Sequence, residues 1–99
     1  MSKVLLLSDF EPHVGAQFDV SWPEPESSVP LTLLEAVPIQ RSTDGRSFAL
    51  RFDGPAEPLL PQQIHELLHP DQGPLQLFLV PVVGARPGRL LYEAIFSRL

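Results

Sequence analysis

Gln62–Val83, QQIHELLHPDQGPLQLFLVPVV, admits two backbones, and the fold follows from which one forms. On a helix, His65-Glu66-Leu67-Leu68-His69 is a zinc-protease motif. Residues four apart share a face at a spacing of about 6 Å, so His65 and His69 could bind the metal while Glu66 acts as base on a bound water. Pro61 suits a first helical position, and Ile64, Leu67 and Leu68 have helical spacing. On a strand, faces alternate at about 3.3 Å per residue, which sets His65 and His69 about 13 Å apart with Glu66 on the opposite face.

Three features favour the strand. Pro70 disfavours helical geometry at His69 and stops any helix within about two turns, too short a scaffold for such a site. A catalytic zinc wants a third protein ligand, yet the only acids after His69 are Asp71 and Glu93, and the one other histidine is His13. Pro70-Asp71-Gln72-Gly73 is a turn signal: proline presets φ, glycine accepts positive φ, and an apolar run follows at once. The stretch therefore reads as a β-hairpin, with His65 and His69 as solvated or rim residues of its first strand. Zinc-dependent hydrolysis through His65, His69 and Glu66 is the alternative. Leu77–Val83 reads as a central strand buried on both faces in preference to an exposed patch.

Working outward, Gln17–Trp22 alternates strictly and places Phe18, Val20 and Trp22 on one face of a strand. Before it, Ser8–Gly15 reads as one helical turn capped by Ser8 and stopped by Gly15, with Phe10 and Val14 plugging the core together. Pro23–Pro30 reads as an exposed, acidic, proline-rich loop. Leu31–Gln40 alternates again, with Leu31, Leu33, Glu35, Val37 and Ile39 on one face and Pro38 marking an end or an unpaired edge. Asp44-Gly45 is a hairpin cue before Ser47–Asp53, which points Phe48, Leu50 and Phe52 inward and Arg51 outward. Gly54-Pro55-Ala56-Glu57-Pro58 breaks the chain, and Arg89–Phe96 is the last strand, with Tyr92, Ala94 and Phe96 on one face. About six strands joined by Gly/Pro turns predict an all-β fold, a small antiparallel barrel or sandwich with one short N-terminal helix.

Bulk properties agree. Ninety-nine residues, 43% apolar, predict a single β-rich domain over 1–99, and 12 prolines disfavour long helices. The net charge of −5 is lopsided: Met1–Gln40 carries six acids against Lys3 alone. That excludes a basic nucleic-acid surface. Zero cysteines exclude disulfides and thiolate chemistry and fit the cytoplasm. The N-terminal run Val4–Leu7 is too short for a signal peptide or a membrane span. Gly84–Gly88 lacks the Lys-Ser/Thr of a phosphate loop, no serine has a nucleophile-elbow context, and Glu24 and Glu26 sit on a proline loop as ionised, idle carboxylates. No catalytic residue, cofactor site or metal site is assigned, and no cofactor is expected.

Asp9-Phe10-Glu11-Pro12-His13-Val14-Gly15, Phe48–Pro55, Leu60-Pro61-Gln62, His69-Pro70, Leu77–Pro81 and Tyr92–Phe96 together resemble a family of small bacterial proteins of about this length, catalogued only as a domain of unknown function. The resemblance spans nearly the whole chain. It implies an aromatic residue where this chain has His65, no fixed Glu66, and no established activity. It also implies a phage-tail-like setting and an assembly role. The resulting expectation is a non-enzymatic β-domain, monomeric or weakly self-associating, that binds another protein through a strand edge or its acidic N-terminal third. A small-ligand binder with a barrel mouth lined by Trp22, Phe78 or Tyr92 is a third possibility.

Overall fold

Period-two alternation gives each strand of a small sheet one apolar face, and that face is buried most completely when the sheet closes on itself. A computed structural model describes residues 5–39, 41, 43–83 and 86–97, apart from the side chain of Val83. It has six antiparallel strands, β1 (Gln17–Ser21), β2 (Ser28–Pro38), β3 (Phe48–Pro55), β4 (Gln63–His69), β5 (Gly73–Val83) and β6 (Arg89–Phe96). They form a closed barrel in the order β1-β2-β3-β6-β5-β4. Closure through β4 and β1 removes the sandwich from consideration.

The interior is filled. Phe18 and Val20 from β1, Leu31 and Leu33 from β2, Phe48, Leu50 and Phe52 from β3, and Leu67, Leu79 and Tyr92 from the rest are all inaccessible to solvent. Each such side chain contributes roughly 1.5–3 kcal/mol through burial. Gly54 belongs to this packing, where a chain break is expected: it pairs with Leu90, and a Cβ there would stand 2.4 Å from Leu31 Cδ2 and 2.8 Å from Tyr92 Cε2. The Tyr92 hydroxyl donates to the Pro55 carbonyl at 3.0 Å and accepts from the Leu60 amide at 3.2 Å, which ties the β3–β4 crossing to β6.

The N-terminal helix is two consecutive 3-10 turns, Leu7–Asp9 and Glu11–His13. Its cap is not Ser8: the Leu6 amide donates to the Asp9 carboxylate at 2.8 Å. Phe10 is fully buried and closes one barrel end against Phe18, Phe48 and Phe96, with centroids at 6.3, 5.7 and 6.1 Å. Val14 is not its partner, because the second turn ends before it and leaves it exposed. Gly15 takes φ +95° at the stop, as its position predicts.

Three other expectations change. β2 begins within the predicted loop, and Val29 is buried opposite Val20. Its register shifts between Leu33 and Glu35, so a bulge turns Glu35 and Val37 outward although they share parity with Leu33. The β2–β3 hairpin forms, with a connection over residues 39–47 that is longer than Asp44-Gly45 alone suggests; the Leu7 amide donates to the Gly45 carbonyl at 2.8 Å. On β5, Leu77 and Leu79 are buried but Phe78 is not, which corrects the strand buried on both faces: a closed barrel has no second layer to cover its outside.

Gly54→Ala tests the packing around β3. The added methyl has no space between Leu31 and Tyr92, so chemical denaturation is expected to show a loss of about 2 kcal/mol with an unchanged m-value.

Candidate functional site

β4 and β5 form the predicted hairpin, from Gln63↔Leu79 to His69↔Gly73, with Gly73 at φ +77°. The hairpin geometry sorts the motif residues. His65, Leu67 and His69 face the interior, while Glu66 faces solvent. The two histidines are buried, at 3% and 2% exposure, so their reading as solvated residues is corrected: they occupy opposite ends of the barrel interior with Leu67 between them.

His69 is bonded through both ring nitrogens. Its Nε2 lies 2.6 Å from the Asp9 carbonyl, an acceptor only, so Nε2 carries the proton. Nδ1 then accepts from the amides of Asp71 and Gln72 at 3.0 and 3.1 Å. One side chain thus secures the 3-10 plug and caps the β4–β5 turn, and no lone pair remains for a metal. Its ring packs edge-on against Phe10 and Phe18, with centroids at 5.6 and 5.4 Å.

The plug also brings in a residue that spacing alone leaves apart. His13 lies edge-on to His69 with centroids at 4.6 Å, and its Nε2 is 3.1 Å from Asp71 Oδ2. Gln72 Nε2 donates to Asp9 Oδ1 at 2.7 Å across the same end. Nothing in the sequence pairs position 13 with position 69, since their approach depends on how the plug folds over the barrel. The cluster is polar and well bonded, and among the described residues no group of three or more His, Asp or Glu side chains is arranged to hold a metal ion.

At the other end, His65 Nε2 donates to the Pro61 carbonyl at 2.7 Å, and Trp22 stands edge-on to the ring at 5.4 Å. The expected ligand mouth does not assemble. Tyr92 is wholly buried, Phe78 faces solvent on the outer wall, and only Trp22 stands at the rim.

The outer surface carries two contrasting rows. Arg51 on β3 donates to Glu93 on β6 and to Glu35 on β2, each at 3.1 Å; the hydrogen bond to Glu93, followed by the charge of Glu35, holds the guanidinium above its ordinary pKa. The other row is apolar. Val37 pairs with Ala49, Ala49 with Ile95, and Ile64 with Phe78. Phe78 and Ile95 each lie two residues from the β5–β6 pair Val80↔Glu93, on the same outward face. Ile64, Ile95 and Phe78 are 60%, 54% and 50% exposed. The signal for this row was the uninterrupted apolar run Leu77–Val83 read together with the closure of the sheet.

A family model described as Domain of unknown function (DUF6916) matches residues 5–96. No curated protein and no solved structure matches the chain.

The bonding of His69 predicts a fixed neutral tautomer. Nitrogen-15 NMR at neutral pH is expected to show His69 protonated at Nε2. His69→Phe, which strands two amides and a carbonyl, should destabilise the fold by about 3 kcal/mol or more in denaturant unfolding. Stoichiometric zinc in tag-free protein, lost on His69→Ala, would instead restore the metal reading.

Proposed function

We propose that this chain, which belongs to the family Domain of unknown function (DUF6916), is a non-enzymatic protein-interaction module that presents the outer wall of its barrel to another protein. The observation that carries this reading is the apolar row containing Ile64, Phe78 and Ile95, each at least half exposed. Single exposed apolar residues are ordinary on soluble proteins, but a row at one level across neighbouring strands is the kind of patch that marks an interface. A large aromatic such as Phe78 flanked by branched aliphatics is also the side-chain type that anchors interfaces.

Other function classes have less behind them. The filled interior leaves no mouth for a ligand among Trp22, Phe78 and Tyr92. A hydrolase through His65, Glu66 and His69 requires lone pairs that His69 spends on backbone amides and a side chain, Glu66, that faces away. Nucleic acid finds little attraction, since Arg51 and Arg89 are paired with acids and the net charge is −5. No helix among the described residues is long and apolar enough to cross a membrane. A cytoplasmic setting is supported by the absence of cysteine, and an assembly role in a phage-tail-like context by the family resemblance alone.

A photo-crosslinking amino acid placed at Phe78 is expected to trap one dominant protein adduct in cells. The same group at exposed Glu57, on the β3–β4 crossing, should trap none. Identical adducts from both positions, or none from Phe78, would overturn the reading.

A further inference from the structure

The ladder between β1 and β4 is the shortest in the barrel: its pairs are Asp19↔Leu68 and Val20↔Leu67. Beyond them β4 continues back to Gln63 with pairing toward β5 alone. β1 turns away at this point. Ser21 still pairs with Ser28, and the Trp22 amide donates to the Ser27 carbonyl at 3.2 Å. The separation opens a cleft of about 270 Å³, walled by Ser21–Pro25 on one side and Gln63–Glu66 on the other. Small-molecule pockets begin at about 300 Å³, so this volume suits a single long side chain better than a whole ligand.

The walls supply acceptors, not cations. His65 is 3% exposed and lines the cleft. Because its Nε2 is committed to Pro61, the neutral ring presents a lone pair at Nδ1. Among the described residues nothing donates to that nitrogen, and every fully buried side-chain nitrogen or oxygen has a partner, so Nδ1 keeps some contact with solvent. Glu24 and Glu66 line the same cleft, and among the described residues neither carboxylate is engaged by a cation. Trp22 adds an aromatic wall.

We infer that this cleft receives an arginine side chain carried on an extended segment of a partner protein, whose main chain runs along the unpaired edge of β4 at Gln63–Glu66. A guanidinium in the cleft offers planar donors to the Glu24 carboxylate and to His65 Nδ1, the Glu66 carboxylate adds negative charge at the outer lip, and the flat face of the guanidinium stacks on indole. The β4 edge provides the row of main-chain groups that strand addition uses. The inference rests on the interaction reading above and is continuous with it, since Ile64 belongs both to the apolar row and to the cleft.

Trp22 is the chain's one tryptophan, so its emission reports on the cleft alone. The probes are a capped peptide of alternating valine and arginine and its citrulline counterpart, titrated into the full chain. The arginine peptide is expected to give a saturable emission change and to bind at least about tenfold tighter than the citrulline peptide, because citrulline keeps the shape and loses the charge. Glu24→Gln with Glu66→Gln should weaken binding by about tenfold and leave the thermal midpoint unchanged, both residues being exposed. His65→Phe, which retains an aromatic contact to Trp22, should weaken it as well. Equal affinity for the two peptides, or no saturation at about 1 mM, overturns the cleft assignment. Emission that changes with protein concentration alone would give the cleft to a second copy and also overturn it. An intact crosslink at Phe78 beside a failed titration removes only the cleft; a successful titration without a crosslink removes only the apolar row.

Discussion

The hydrogen bonds of His69 tie the N-terminal plug and the β4–β5 turn to β4. The Asp9 carbonyl comes from the N-terminal plug, and the Asp71 and Gln72 amides come from the β4–β5 turn. The ring itself rides on β4 and packs on Phe10 and Phe18. A buried imidazole with an unmet nitrogen would be costly, and each stranded amide or carbonyl would add about 1–3 kcal/mol. With all of them matched, the plug seats Phe10 over the barrel end, and the aromatic cluster of Phe10, Phe18, Phe48 and Phe96 closes it. Through that closure, an 11.0 kDa chain with little surface to spare builds a continuous core.

The same economy decides where function can reside. An interior filled by Phe52, Leu67, Leu79 and Tyr92 has no room for chemistry, and the polar groups that do enter it are bonded to backbone. Recognition therefore belongs to the outside and to the seams. On the wall, the Glu35–Arg51–Glu93 row stands beside the apolar row of Val37, Ala49 and Ile95, two residues away along each strand. Exposed ion pairs contribute little to stability, whereas the apolar row has a standing cost in water that a partner would remove. At the β1–β4 seam the backbone itself is incomplete, because β1 leaves the ladder at Val20.

Much of the fold was legible in local patterns. Alternation located the strands, and Pro70 with Gly73 located the hairpin and removed the helix that the letters His65 to His69 suggest. The misplaced details have specific causes. Glu35 and Val37 turn outward because a bulge after Leu33 shifts the phase, and a bulge leaves the composition of a strand unchanged. Val14 is exposed because the N-terminal segment winds as 3-10 turns, in which residues four apart do not stack as they do on an α-helix. Phe78 was assigned to a buried strand because an apolar run looks the same whether one face or both are covered. The site was less legible than the fold: His13 reaches His69 across 56 positions, and Trp22 meets His65 only where two strands part.

By itself, the sequence determined the all-β class, the placement of the strands and the hairpin at Gln63–Val83, because proline, glycine and period-two alternation act on a few neighbouring residues at a time. Only the tertiary structure decided that the sheet closes, that His65 and His69 lie inside it at opposite ends, and that Ile64, Phe78 and Ile95 are left on the outside. Those outcomes depend on which strands meet and which surfaces they exclude from water, a property of the whole chain that no window of residues contains.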